Sequence, residues 1–395
     1  MTIGINVSFL RKPGTGIGQV THNVLRTLIS NTQYPIPNEH EFFVYCEEEP
    51  ILDFKLPENF HIRTFLPFWK RDDVLRKWLW EKQLAKEAVK DGCDVFLNLY
   101  QSATSFEKYK LQTTSYKLPR HVMVVHDVIP ELFPEYLRKF SQRMHWRAVR
   151  KAIRKADAIV AISESTKHDL MRLGIREEKI TVAYPDVAPQ FRQPTSEENV
   201  SQILKKYSLE RGYIYHGGGL EVRKNAERLL RAYASMTKSP STALRAEIPI
   251  LVISGKVFDK SNKLATDVEG LIKELYLEEK VKLLGFVPDE DLPALYKGAL
   301  FFVYPSLYEG FGLPVLQALC QSVPVLTAGN SSLPEVGGEA ALYVDSNDTE
   351  AIATQMEHLL IDETLRTNLV SHSNAQAEKF HWEHFVQKIL ATLKQ

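Results

Sequence analysis

The sequence is short of cysteine. Cys46, Cys93 and Cys320 stand far apart in 395 residues, with no Cys-x-x-Cys pair. Neither a zinc site nor a disulfide framework is indicated. Each cysteine lies in or beside an apolar segment and reads as a small core residue. No run approaches the roughly 20 apolar residues of a membrane-spanning helix. The opening stretch, MTIGINVSFL, lacks a charged segment ahead of its apolar residues. It reads as a first strand rather than a signal peptide, which predicts a cytoplasmic protein. Net charge is also missing, with 49 Lys+Arg against 49 Asp+Glu. A dedicated nucleic-acid binder needs a basic surplus, so that class is excluded. No tandem repeat or low-complexity tract is visible.

What is present is alternation. Short apolar runs at 3–7, 42–45, 94–99, 121–125, 158–162 and 179–182 predict strands. Longer amphipathic stretches at 18–30, 74–90, 138–154 and 165–173 predict helices between them. Three prolines then fall between Tyr184 and Pro194, a composition that predicts a linker. A second series follows, with strands at 213–216, 249–254, 281–284, 300–304 and 323–327. Its helices are predicted at 225–235, 267–275, 289–297, 313–320, 349–360 and 383–393. Strands alternating with helices indicate parallel sheets covered on both faces. The length exceeds what one core supports, so two doubly wound α/β domains are expected, facing a cleft.

Four segments carry the chemistry. In Tyr304–Leu319, a buried strand enters a loop holding Glu309, Gly310, Phe311 and Gly312, and a helix begins at Leu313 with Pro314 in its first turn. Glycines let backbone approach a ligand, and a helix start offers N–H groups to anions. In Gly217–Asn225, a strand ends in glycines that include Gly218, and Arg223-Lys224 stand at the next helix start. Paired cations there suit a diphosphate. In Lys12–Gly18, the glycines miss the dinucleotide spacing because Gln19 occupies the last position. Gly16 and Gly18 are the candidates for close backbone approach to a ligand. His126-Asp127 follow a strand directly, at the end of a sheet where ligands bind. Asp127 joins the acceptor side, orients His126 or caps the next segment.

The stretch Glu309-Gly-Phe-Gly-Leu-Pro-Val315 resembles the signature of retaining glycosyltransferases of family four, which have the glycosyltransferase B fold. The resemblance extends along most of the chain and is greatest to bacterial mannosyltransferase-like members. It implies two Rossmann-like domains, residues 1–190 and 191–380, with a last helix in 381–395 crossing back to the first. It implies transfer of a sugar, from GDP-mannose or a related sugar nucleotide, to a hydroxyl of a glycan or glycolipid, with retained anomeric configuration, and with the loop of Gly16 and Gly18 reaching toward donor phosphate and acceptor. Arg223 and Lys224 would hold the diphosphate, Glu309 the donor sugar, and His126 the sugar or the acceptor. Backbone near Val287 would read the base. Gln317 stands where a second Glu usually binds ribose, so donor binding should be altered without loss of catalysis.

The departing phosphate would itself take the acceptor's proton, so no strong general base is expected. No cofactor is expected. No Asp-x-Asp motif is read as a metal holder, so metal independence is expected too. A non-catalytic nucleotide-sugar-binding subunit, or an epimerase of the same fold, is the competing reading.

The zero net charge is a cancellation. Residues 1–190 hold 28 Lys+Arg and 23 Asp+Glu, whereas 191–395 hold 21 and 26. Residues 138–155 carry eight Lys+Arg and no acid, and Trp69, Trp78 and Trp80 lie among further cations. A basic amphipathic helix with tryptophans suits peripheral contact with an anionic membrane, here its inner face.

Overall fold

A computed structural model describes residues 1–30, 40–65, 71, 73–110, 118–238, 248–256 and 262–394. The chain forms two compact units, Met1–Pro185 with Phe380–Gln395, and Asp186–Lys379.

The first unit contains β1 (Thr2–Asn6), α1 (Gly16–Ser30), β2 (Glu41–Cys46), β3 (Phe60–Thr64), α2 (Val74–Lys90), β4 (Val95–Asn98) and α3 (Glu107–Lys110). It continues with β5 (Arg120–Val125), α4 (Ile129–Leu132), α5 (Phe140–Lys155), β6 (Ala158–Ala161), α6 (Glu164–Arg172) and β7 (Ile180–Val182). Its seven strands pair in the order β3-β2-β1-β4-β5-β6-β7, all parallel. Every residue of β4 and β6 is buried, as expected of strands covered on both faces. Asp73 and Ser163 cap α2 and α6 by accepting first-turn N–H groups. Gly18 is fixed by crowding, because a Cβ there would stand 2.0 Å from the Lys12 carbonyl oxygen.

The second unit contains α7 (Pro189–Arg192), α8 (Glu197–Lys206), β8 (Tyr213–His216), α9 (Ala226–Lys238), β9 (Leu251–Ser254), α10 (Val268–Leu275), β10 (Val281–Gly285) and α11 (Leu292–Gly298). Then come β11 (Ala299–Tyr304), α12 (Leu313–Cys320), β12 (Val325–Ala328), α13 (Leu333–Gly337), β13 (Ala341–Val344), α14 (Thr349–Ile361) and α15 (Glu363–Ala377). Its six strands pair in the order β10-β9-β8-β11-β12-β13, again all parallel. The last helix, α16 (Trp382–Lys394), packs on α1, β6 and β7 of the first unit.

The proline-rich stretch is not a loose linker. Phe191 is fully buried, and its carbonyl accepts from Gln321 Nε2 at 2.9 Å. Arg192 Nη2 donates to Asp186 Oδ1 at 2.6 Å and to the Ala377 carbonyl at 2.9 Å. These bonds hold the segment to the second unit, and the fold divides at 185/186 where the sequence places the boundary at 190/191.

Strand order reverses between β1 and β4 in the first sheet, and between β8 and β11 in the second. The carboxyl ends at such switch points are where doubly wound sheets bind ligands. In the second unit, the loops leaving β8 and β11 are the two that carry Gly218, Arg223, Lys224 and Glu309.

Candidate active site

Glu309 is the centre of the second unit's site. Its Oε1 accepts from Lys224 Nζ at 2.7 Å, Ser306 Oγ at 2.7 Å and Tyr304 Oη at 2.8 Å. Its Oε2 lies 2.8 Å from Arg223 Nη1. Burial alone would push this carboxyl up. Arg223 and Lys224, with bonds from Lys224 and Ser306, outweigh burial and hold it down at about 2. Lys224 is also buried and bonds Tyr304 Oη. Burial lowers its pKa, Arg223 adds to that effect, and Glu309 opposes both.

The backbone locks these groups together. Leu307 N–H donates to the Arg223 carbonyl at 2.8 Å, and the Ser306 hydroxyl shares its one proton between Glu309 and that same carbonyl, which lies 3.0 Å away. Asn225 adopts a left-handed φ of 63°, and its Nδ2 donates to the Pro305 and Ser346 carbonyls at 2.9 and 2.7 Å. The β8 and β11 loops therefore form one piece. Gly218 has a φ of +93°, and a Cβ there would meet Pro314 Cγ at 2.7 Å. Only glycine lets the β8 loop lie this close to the start of α12.

Gly312 is the N-cap of α12, with Leu313 and Pro314 opening the helix and no side chain capping it. Pro314 has no N–H to offer, and the Val315 N–H donates to the Gly312 carbonyl at 2.9 Å. Ser332 Oγ shares its proton between the Glu309 and Phe311 carbonyls, at 3.0 and 2.7 Å. Ser331 Oγ accepts the Glu309 N–H at 3.0 Å. Tyr304, Ser306, Ser331 and Ser332 were not singled out in the sequence. Tyr304 and Ser306 sit inside the quoted stretch, but nothing in its spacing shows that their hydroxyls turn back onto Glu309.

Gln317 is buried on α12, and its Oε1 accepts from Tyr296 Oη at 3.1 Å. Its Nε2 makes no hydrogen bond to a described residue. Val287 is buried in the segment between β10 and α11. Asp289-Glu290-Asp291 has Asp-x-Asp spacing, which the sequence reading passed over. Asp291 is buried, and its Oδ2 takes both Lys206 Nζ and Tyr207 Oη at 2.6 Å. Among the described residues, no three His, Cys, Asp or Glu side chains gather as metal ligands.

In the first unit, Gly16 opens α1 and Gly18 lies in its first turn. His126 leaves β5 and is buried. Its Nε2 lies 2.8 Å from the Leu99 carbonyl. A carbonyl only accepts, so Nε2 carries the proton and Nδ1 keeps a lone pair. Nδ1 has no partner among the described residues. Burial pushes this histidine down to about 4, against the Leu99 bond, so it is neutral at pH 7. Its N–H donates to Gln101 Oε1 at 3.1 Å, and its carbonyl accepts from Thr166 Oγ1 at 3.2 Å. Asp127 Oδ1 accepts the Ile129 N–H at 3.0 Å, at the start of the next segment.

The basic helix α5 is partly neutralised. Arg150 pairs with Glu131 at 3.0 Å, and Lys151 and Lys155 pair with Glu107 at 3.2 and 3.0 Å. Trp80 and Trp146 are core residues, whereas Trp78 and Phe140 are exposed. Trp69 lies outside the described residues. None of the described helices is long and apolar enough to cross a membrane.

Residues 15–191 match the model described as Glycosyltransferase Family 4, and residues 199–376 match that of Glycosyl transferases group 1. The Escherichia coli O-antigen chain mannosyltransferase B is 34% identical over 280 residues, 71% of each chain. This chain belongs to glycosyltransferase family four. A second relative of this glycosyltransferase is the E. coli serotype-specific mannosyltransferase WbdA, 32% identical over 284 residues. That match covers 70% of this chain but 34% of WbdA. Two solved structures share the fold. Anabaena HepE, in complex with UDP and glucose, gives a TM-score of 0.73 at 17% identity, covering 100% of this chain and 99% of HepE. WaaG, a glycosyltransferase involved in lipopolysaccharide biosynthesis, gives 0.72 at 15%, with the same coverage.

Proposed function

We propose that this glycosyltransferase moves a hexose, mannose from GDP-mannose, to a hydroxyl of a glycan or glycolipid acceptor, with retention at the anomeric carbon. The observation that carries the reading is the Arg223–Lys224–Glu309 cluster beside the uncapped start of α12. Two cations and a helix N-terminus converge on one locus, which suits a diphosphate. The mannosyltransferase relative at 34% identity supports the choice of sugar.

In this reading Arg223 and Lys224 stabilise the charge that grows on the leaving diphosphate, by preorganised electrostatics. The bond from the anomeric carbon to the β-phosphate oxygen breaks, and a bond to the acceptor oxygen forms on the same face. The acceptor's proton passes to the departing phosphate oxygen, so no side chain must act as a strong base. Glu309 and the glycines Gly310 and Gly312 lie where the sugar and phosphate would rest. His126, neutral and with Nδ1 open, would accept a hydrogen bond from a hydroxyl of the sugar or the acceptor. The two cations take the place of a divalent metal, so transfer is expected to survive chelation.

The acceptor end is read as a lipid-linked glycan at an anionic membrane surface. Phe140 is 75% exposed and shares a helix face with Met144, Arg143 and Arg147. Flotation with phosphatidylglycerol vesicles tests this part, and equal flotation with neutral vesicles removes it.

The central test is turnover with GDP-mannose, UDP-glucose, UDP-galactose and ADP-glucose, with an oligomannoside acceptor and EDTA present. Release of GDP with an α-linked product is expected. Tight nucleotide binding with no turnover on any donor would favour a non-catalytic binding subunit, the alternative that Gln317 motivates.

A further inference from the structure

Glu81 is a carboxylate on α2 with 1% side-chain exposure and, among the described residues, no Lys or Arg partner. Its Oε2 lies 2.8 Å from His145 Nε2 on α5. Its Oε1 accepts the Ala103 N–H at 3.0 Å. Ala103 belongs to the irregular segment that follows β4, and that same segment holds His126. Leu99 supplies the carbonyl that fixes the His126 tautomer, and Gln101 supplies Oε1 to its N–H. Within the segment, Ser102 Oγ accepts the Thr104 N–H at 3.2 Å and donates to Thr104 Oγ1 at 2.9 Å.

A buried Glu–His pair is poor value for stability alone, because desolvation offsets the attraction and a packed apolar pair often does as well. A segment outside any helix or strand, by contrast, needs fixed points to hold a functional side chain in one place. Ala103 N–H is the point where two helices reach this segment.

We infer that Glu81 is a positioning residue for His126: bridging His145 and the Ala103 N–H, it anchors the Leu99–Thr104 segment so that Leu99 and Gln101 hold the His126 ring in one tautomer and place. The inference rests on the reading that His126 meets the sugar. It makes Glu81 and His145 part of the donor-sugar site without contact with substrate.

The test compares three variants of the full chain. Glu81→Gln keeps an acceptor for Ala103 and a near-identical shape. Glu81→Leu removes the acceptor. Glu81→Asp keeps the charge but draws it back by one methylene, and it serves if Glu81→Leu does not fold. Each is assayed for kcat of transfer, for GDP affinity, and for the ring ¹⁵N signals of His126, assigned from His126→Gln. Displacement of a positioned group by a fraction of an ångström to an ångström costs about tenfold to a hundredfold in rate. Glu81→Leu and Glu81→Asp are expected to lose kcat on that scale and to show mixed His126 tautomers. Their GDP affinity should remain within about twofold, since the Arg223–Lys224 site belongs to the other unit. Glu81→Gln should keep wild-type kcat and the Nε2–H pattern.

Wild-type kcat and ring signals in Glu81→Leu, or in Glu81→Asp if Leu does not fold, overturn the inference. So does a Glu81→Gln variant as damaged as Glu81→Leu. Unchanged transfer in His126→Ala overturns instead the reading on which it rests.

Discussion

Lys224 Nζ and Glu309 Oε1 lie 2.7 Å apart, with both side chains buried. The cation proposed to meet the donor diphosphate is thus held by an internal carboxylate. Removing one partner of a buried pair leaves an uncompensated charge and costs about 3–5 kcal/mol. Glu309→Gln should therefore lower thermal stability without ligand. It also frees Arg223 and Lys224 from their counter-charge, so GDP should bind at least as tightly as to the wild type. Turnover should fall about a hundredfold or more, because the sugar loses its carboxylate. Calorimetry with GDP and a donor-turnover assay separate the effects. Weaker GDP binding together with unchanged turnover would show that Glu309 serves the nucleotide rather than the sugar.

Gln317 makes a second, milder case. Tyr296 Oη already donates to its Oε1 at 3.1 Å, so the side chain's remaining capacity lies mainly in the two Nε2 donors. Ribose hydroxyls facing it can accept from Gln, whereas a Glu would take their protons. Charge-assisted bonds are roughly twice as strong as neutral ones. Gln317→Glu should lower the donor KM a few-fold and leave kcat within about twofold. Loss of turnover would show that the position does more than contact ribose.

Much of this was legible beforehand, for physical reasons that can be named. Strands such as β4 and β6, buried at every position, are apolar runs that cannot be mistaken. The helix α2 spans the same residues, 74–90, that the sequence predicts. Other elements left no such trace. In β3 only Phe60 is buried, at a sheet edge, so its polar residues show no alternation. In α15 the buried positions include Ser373 and Gln376, which do not read as a core stripe. α8 buries only Val200 and Leu204. At the candidate site, Arg223, Lys224 and Glu309, which the family resemblance marks, come together in the structure. Tyr304, Ser306 and Ser332 carry no such mark, since a hydroxyl's partner is fixed only by tertiary packing.

Gly218 tests how tightly the β8 loop must lie on α12. Gly218→Ala brings a Cβ to 2.7 Å from Pro314 Cγ, at a φ of +93° that L residues rarely adopt. Such strain costs about 1–3 kcal/mol. Relief would move either the loop or the start of α12, the two segments on which the proposed diphosphate site rests. GDP affinity should drop about tenfold for a loss of that size, with the first unit's stability unchanged. Wild-type GDP affinity in this variant would place the diphosphate elsewhere.

Acid should loosen the first unit through a histidine with no catalytic role. Asn6 Nδ2 donates to Asn98 Oδ1 at 2.8 Å, which turns Asn98 Nδ2 toward His121 Nε2, also at 2.8 Å. That ring nitrogen must be bare to accept. Burial pushes His121 down to about 4 from an ordinary 6.5, against the pull of Asp157. Above pH 6.5 the ring is neutral in both folded and unfolded chains, and its contribution to stability is fully present. Below that, the unfolded chain takes up a proton that the folded chain refuses. Stability is then lost as pH falls, and the loss is complete near pH 4. The gap in pKa corresponds to about 3 kcal/mol in total. His126 adds a loss of the same sign in the same unit. Hydrogen exchange of the β5 amides, followed from pH 7.5 to 5 and corrected for intrinsic rates, should show this opening. His121→Gln, which has no titrating group, should flatten the slope by about one proton, or ~1.4 kcal/mol per pH unit. An unchanged slope in that variant would mean that His121 is already protonated in the folded chain and that the Asn98 amide is turned the other way.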